Sequence, residues 1–244
     1  MEIKKPASDI NIQKLTACFN LGNQLDDIDF LVIDYDQNIE HGFADTTTLD
    51  IYTRSGIILC VTAWETFIEN ILSIEFENRM SSITTPDEIR HTANSVAQAW
   101  VNKKSKINSQ HLLEWAGNGW KHLINESFKS EIQSLNTPSS ENIRNISKRY
   151  LALDITTCWK WTRVSPNDAC RKLDSLIHLR GNLVHRGLNR FGDIGKKPNR
   201  NLQVSRNQLK RAVGLITHLG QCTAKVLLTR EDFRKVSAHF RITI

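Results

Sequence analysis

Apolar residues recur along this chain at the spacing of one helix face. Between about residues 48 and 80 they fall at Leu49, Tyr52, Gly56, Leu59, Ala63, Phe67, Ile68, Ile71, Leu72 and Phe76. Steps of three, four and seven residues mark a helix rather than a strand. Thirty residues without a breaker predict a spine helix of the domain, with Thr46-Thr47-Thr48 offering its N-cap. Upstream, Ile10, Leu15, Phe19, Leu21, Leu25, Ile28 and Leu31 predict a second amphipathic helix. Asp26, Asp27, Asp29, Asp34 and Asp36 make it acidic, as a solvated face or as a face for a partner.

Downstream, Thr85-Pro86-Asp87-Glu88 reads as a helix start with Thr85 as cap and Pro86 in the first turn. The stretch that follows is helical in pattern but broken around Ala116-Gly117-Asn118-Gly119, and reads as a helical insert over about 84–135. Turn chemistry at Asn136-Thr137-Pro138-Ser139 precedes a helix over about 140–150. Trp159 and Trp161 follow in a shorter segment. Ser165-Pro166-Asn167-Asp168 starts the next helix, expected to run to about Arg186 and stop at Gly187, with Leu173, Leu176, Ile177, Leu183 and Val184 on its apolar face. A basic loop, 186–201, leads to a final helix over about 204–229, and the tail Phe240–Ile244 reads as extended. The expectation is an all-α protein: one domain over 1–244, an up-and-down helical bundle with an acidic N-terminal helical segment (about 8–45) and an irregular helical insert.

Composition narrows the class. The chain has 244 residues, 40% apolar and 24% charged, which excludes a disordered protein. Eleven Gly and five Pro argue against a turn-rich β-sandwich or barrel. No apolar signal segment follows Met1, and the run Ile57–Val61 is far shorter than a bilayer span, so a cytoplasmic protein without membrane contact is expected. The five cysteines are widely spaced with no C-x-x-C and read as reduced thiols filling the core. The eight histidines form no zinc-binding pattern, and the nucleotide-loop and hydrolase signatures are absent. Neither metal nor cofactor is expected.

The net charge of +6 hides an uneven distribution. Residues 1–142 carry 11 basic and 20 acidic side chains, a net of −9; residues 143–244 carry 21 and 6, a net of +15. Such a split suits a polyanion at the C-terminal part, or packing of the two parts on each other.

One string concentrates candidate chemistry: Leu179-Arg180-Gly181-Asn182-Leu183-Val184-His185-Arg186-Gly187. His185 titrates near neutrality and can act as base or acid. Arg180 stays charged and can hold phosphate oxygens through paired N–H donors. Asn182 is a polar group between them. Together they suit metal-free cleavage of RNA by its own 2′-OH. An Arg and a His satisfying the carbonyls of a helix C-terminus is the alternative. Five residues correspond to about 140° around a helix. Arg180 and His185 therefore meet only if the helix distorts near Gly181, ends before His185, or faces a shared cleft such as a dimer axis supplies.

Around this string, Glu65 is either a helix acid at the surface or a group orienting Arg180 across the helix pair. His178 stands two turns before His185, on the helix surface or lining the cleft. Arg186, Arg190, Lys196 and Lys197 either grip flanking phosphates or form a solvated loop. Trp100, Trp115 and Trp120, beside Lys103, Lys104, Lys106 and Lys121, either pack in the core or stack bases.

The string resembles the signature of the HEPN superfamily. Val61-Thr62-Ala63-Trp64-Glu65-Thr66-Phe67-Ile68-Glu69 is similar to the Trp-Glu helix of its RiboL-PSP-HEPN branch. Leu135-Asn136-Thr137-Pro138-Ser139-Ser140-Glu141-Asn142-Ile143 resembles that branch's T-P-S-x-x-N-I connector, and Leu173–Gly187 resembles its L-x-x-L-x-x-x-R-N-x-I-V-H element. These pieces lie in order over about residues 45–230. The resemblance implies a HEPN-like bundle that dimerises and a metal-independent endoribonuclease in toxin–antitoxin, antiviral or RNA-processing settings. It places Arg180 and His185 at the catalytic positions. Gly181 departs from the polar residue that often follows the arginine, which leaves Asn182 as the candidate for that role. The resemblance also admits a non-catalytic dimer that binds RNA or protein, and an RNase held silent by a neutralising partner such as an antitoxin.

Overall fold

The computed structural model describes residues 7–42, 45–104, 106, 108, 111, 113–135, 138–187 and 204–237, with backbone alone at residues 7, 8, 46 and 185–187. Eight α-helices and two 3₁₀ turns make up these residues, and no strand occurs among them. The helices are α1 (Ala7–Glu40), α2 (Thr46–Ser82), α3 (Arg90–Lys103), α4 (Gly119–Gln133), α5 (Ser140–Leu151), α6 (Pro166–Gly187), α7 (Arg206–Leu227) and α8 (Arg230–Ser237). The 3₁₀ turns are Pro86–Ile89 and Ile155–Cys158. The C-terminal tail expected to be extended, 240–244, lies outside the described residues.

The spine helix forms as its periodicity predicts and is capped one residue earlier than expected. Asp45, not the threonine run, is the N-cap: its carboxylate accepts the Thr48 N–H at 2.8 Å, and this holds its pKa below the usual carboxylate range. α2 then packs on α1, α4, α5, α6 and α7. By length and hydropathy alone α2 could cross a bilayer. About half of its apolar window is buried within the bundle, with Ile57, Trp64, Ile68, Ile71 and Leu72 fully buried and Ile51 and Leu59 exposed.

Antiparallel pairing of α1 and α2 is tied by a cross-link between the start of α1 and the far half of α2. Lys14 is buried, pairs with Glu75 on α2, and donates to the Leu227 carbonyl at the end of α7 at 3.1 Å. Arg206 on α7 pairs with Asp36, one of the acidic residues of α1. So one acid of the N-terminal segment does bind the basic C-terminal part within the same chain.

Two aromatic groups organise the interior. Trp64 meets Trp159 edge-on at 5.7 Å, and the Trp159 indole donates to Thr223 Oγ1 on α7 at 3.0 Å. This buried bond satisfies the one polar atom of a large apolar ring. At the other end of α2, Phe76 stacks on Phe128 at 3.9 Å and meets Tyr150 edge-on. Phe128, Trp120, Ile124 and Ile132 are the buried face of α4. The second half of the 84–135 segment is therefore part of the core.

The connector before α5 has a structural task. Ser139 caps the helix, and Asp174 on α6 accepts both the Ser140 N–H (2.8 Å) and the Ser140 hydroxyl (2.7 Å). The start of α5 is thereby fastened to the middle of α6.

Candidate functional site

α6 carries the Arg180–His185 string, and its sequence explains its rigidity. Ser165 Oγ donates to Asp168 Oδ2 at 2.6 Å while the Asp168 N–H donates back to Ser165 Oγ at 3.2 Å, closing the expected start. Ser165 and Arg171 together hold the Asp168 carboxyl below its usual range. Leu173, Leu176, Ile177 and Leu183 then bury one side of the helix.

The helix runs without interruption through Gly187. It neither distorts at Gly181 nor ends before residue 185. Regular geometry therefore keeps positions 180 and 185 about 140° apart. Within one protomer this helix does not bring them to one point.

Arg180 points across to α2. Its guanidinium lies 3.7 Å from Glu65 Oε2, with the two side chains 27% and 14% exposed. That separation is an ion pair but longer than a hydrogen bond. Among the described residues, Glu65 Oε1 and Arg180 Nε are buried and hydrogen-bonded to nothing. The guanidinium thus has an anchoring charge and has not committed its donors to it. Burial raises the Glu65 pKa; Arg180 pulls it back down and Glu69, one turn along, pushes it up again. Glu69 is itself raised by burial. Two half-buried carboxylates one turn apart on α2 thus repel each other, and one of them, Glu65, is paired with the guanidinium.

The remaining predicted residues are placed as follows. Asn182 is half-buried, and its position lies about 200° around the helix from Arg180. The structure does not bring it to the Arg180–Glu65 pair. Gly181 faces open space: a Cβ there would meet nothing within 4 Å. His178 is exposed. At His185 and Arg186 the structure describes the helical backbone and not the side chain. Arg190, Lys196 and Lys197 lie outside the described residues. Trp120 is buried; Trp100 and Trp115 meet edge-on at 6.0 Å, and Trp100 donates to Glu114 at 2.9 Å. Among the described residues no group of three or more His, Cys, Asp or Glu is arranged to hold a metal.

The sequence profile of the RiboL-PSP-HEPN family matches residues 13–229, from the first third of α1 to the link between α7 and α8. The chain belongs to the RiboL-PSP-HEPN family. No curated protein and no solved structure matches it. The family-like segments read from the sequence all fall inside this match. Their structural roles now separate: the Trp-Glu helix is the spine and supplies the partner of Arg180, and the T-P-S connector is the α5 cap bound to Asp174. Family membership brings a HEPN-type all-α fold and an RNase or RNA-binding class of function.

Sequence reasoning passed over one feature. On its other side α6 forms an open groove with α7, walled by residues that recur at helical spacing on both helices. Asp168, Arg171, Lys172, Ser175 and Leu179 on α6 face Gln208, Arg211, Leu215 and His218 on α7. Polar and cationic positions beside apolar ones at helical spacing, Lys172 with Leu176 and Leu179 and Arg211 with Leu215, are the signal on the two helices.

Proposed function

We propose that this protein is a metal-independent endoribonuclease that acts as a homodimer. In this reading the RNA 2′-oxygen attacks the adjacent phosphorus and the 5′-oxygen leaves. His185 takes the 2′-OH proton, and an imidazolium returns a proton to the departing 5′-oxygen. The products are a 2′,3′-cyclic phosphate and a 5′-hydroxyl. Arg180 neutralises the charge that develops on the non-bridging oxygens. Glu65 positions Arg180, and Arg186, Arg190, Lys196 and Lys197 hold flanking phosphates.

The observation that carries the reading is the Arg180–Glu65 contact. In a family of RNase and RNA-binding proteins, a guanidinium on the R-x-x-x-x-H helix is braced by a carboxylate yet keeps its N–H donors. A pre-positioned cation with uncommitted donors is what phosphorane stabilisation needs. The +15 charge of residues 143–244 favours a polyanionic substrate. The helix register supports the dimer reading, since a second copy can set its residue 185 opposite Arg180. We place the enzyme in a toxin–antitoxin or antiviral setting in the cytoplasm, with a neutralising protein as its natural partner.

The test is incubation of purified protein with total RNA in EDTA. The expected result is cleavage by wild type and its loss in both Arg180→Ala and His185→Ala. Absence of cleavage by wild type, or equal cleavage by the variants, sinks the proposal. The same register also favours a second reading, a non-catalytic dimer that binds RNA, because one protomer alone keeps positions 180 and 185 apart. That reading expects salt-sensitive RNA retention without products.

A further inference from the structure

We infer that the groove between α6 and α7 binds a segment of single-stranded RNA, with a base stacked on the Trp161–His218 pair and its phosphates held by Lys172 and Arg211. The inference rests on RNA being the substrate and adds a binding site to that reading.

The groove has a volume of about 860 Å³, within the range of sites that take organic ligands. Its floor is apolar, from Ile57, Leu176 and Leu179. At one end the Trp161 ring and the His218 imidazole lie nearly parallel, 23° apart with centroids at 4.8 Å. Both are half-buried. His218 is fixed there because its Nδ1 lies 2.7 Å from the Gly214 carbonyl. An N–H at Nδ1 donates to that oxygen and leaves Nε2 as an acceptor in the neutral ring. A fixed, planar, half-exposed surface is a stacking platform.

The rim carries the charge. Lys172 and Arg211 are exposed, and neither has an ion-pair partner among the described residues. Arg171 does pair with Asp168, so it contributes less. An apolar floor, a flat aromatic end and two exposed cations fit a base joined to phosphate. The charge of the whole C-terminal part favours a strand over a single small anion. Arg180 lies about 100° around α6 from the groove-facing row, so the groove is separate from the proposed reacting centre.

The test uses the full chain with His185→Ala, which blocks cleavage, and a fluorescently labelled 12-nucleotide RNA titrated over a range of salt. Trp161→Ala is expected to weaken binding about tenfold, the effect of one lost base stack. Lys172→Ala/Arg211→Ala is expected to reduce the slope of log K against log salt by about 1.4, for two phosphates of a single strand. Gly214→Leu guards against a folding artefact. A Cβ at Gly214 meets nothing within 4 Å, and the change favours helix, so it fills the groove without disturbing α7. It too should weaken binding about tenfold. Unchanged affinity in Gly214→Leu and in the charge variant overturns the inference while leaving the nuclease reading intact. No RNA binding by any form removes both. Displacement of the oligonucleotide by AMP or UMP at equal affinity would make the occupant a free nucleotide and overturn the strand. An acidic peptide that binds the groove while RNA affinity stays unchanged in the variants would assign it to a protein.

Discussion

Replacing Arg180 by Met should destabilise the protein, and replacing Glu65 by Gln should not. At 3.7 Å, two unit charges attract by about 1 kcal/mol in a water-like medium and about 4 kcal/mol at an effective dielectric of 20. Both side chains keep some contact with solvent, so about 1–2 kcal/mol is the working value. The burial of Glu65 opposes that attraction and outweighs it, since its pKa remains raised with Arg180 in place. Glu65→Gln removes the desolvation cost together with the attraction and should change stability by less than about 0.5 kcal/mol. Arg180→Met keeps the stem of the side chain but leaves Glu65 buried beside Glu69 without its cation. The expected loss is about 1–2 kcal/mol at pH 7, or about 2–8 °C in Tm. Its pH dependence has a definite sign. Without Arg180 the Glu65 pKa rises further above its ordinary 4.5. A raised native-state pKa favours the fold below the unfolded value and loses that advantage as pH rises through the folded value. The Arg180→Met deficit should therefore be full near neutrality and shrink on acidification toward 4.5. Urea denaturation followed by tryptophan fluorescence at several pH values measures it. A deficit that stays constant with pH, or a larger loss in Glu65→Gln than in Arg180→Met, would refute the assignment of burial as the dominant cause.

Other positions yield shorter tests. Gly181 faces open space on a continuous helix, so Gly181→Ala should raise stability by about 1 kcal/mol in thermal melts. Gly181→Asn, which restores the polar residue common after the arginine, should fold, and its cleavage rate compared with Asn182→Ala will show which position serves the site. Gly56 lies where α2 packs on α7: a Cβ there would stand 2.6 Å from Leu209 Cδ2. Gly56→Ala should cost about 1–3 kcal/mol, and most of that loss should disappear in combination with Leu209→Ala. Glu88 accepts bonds from Thr84 and Thr85, which lower its pKa to about 2. Its contribution to the turn before α3 is present above 4.5 and lost as pH falls through about 2. Amide exchange at residues 84–90 should accelerate in that window, and not in Glu88→Gln.

The helices were legible wherever a single apolar period ran uninterrupted. α2 extends two residues beyond each end of the predicted 48–80, and α6 is helical from Pro166 through Gly187, the last residue described there. The final helix read as 204–229 is α7, two residues shorter at each end; the short helix α8 that follows carries no apolar period of its own and is not read from the sequence. The break lies at Leu228 and Thr229, where Thr229 Oγ1 donates to Asp232 at 2.7 Å and accepts the Asp232 N–H at 3.2 Å. That cap was in the sequence, masked by the apolar run before it. The 84–135 segment looked like an insert because Gly117 and Gly119 interrupt it. Yet Gly119 is required by a tight turn, where a Cβ would lie 2.0 Å from the Glu114 carbonyl, and α4 beyond it is core. The site was legible only in part for a different reason. Glu65 and Arg180 meet because two helices cross at matching heights, and periodicity fixes faces but not heights. The α6–α7 groove depends on the same juxtaposition, so its aromatic end was not readable from either helix alone.

The uninterrupted register of α6 gives the dimer reading a decisive test. If Arg180 of one protomer works with residue 185 of a second copy, each reacting centre contains one residue from each chain. Arg180→Ala and His185→Ala are then both inactive as homodimers. In a mixed dimer, one centre receives both defects and the other receives none, because the His185→Ala chain supplies Arg180 and the Arg180→Ala chain supplies His185. Random exchange of equal amounts makes half of the dimers mixed. The mixture should recover about one quarter of wild-type cleavage, a value set by symmetry alone. Cooperation of the two residues within one protomer allows no recovery at any ratio. So does a single centre that needs both copies of each residue. Unfolding and refolding the two variants together, with separately refolded variants as the control, provides the exchange. Recovery near one quarter would show that the 140° between positions 180 and 185 is closed by a second chain, and no recovery would show that it is not.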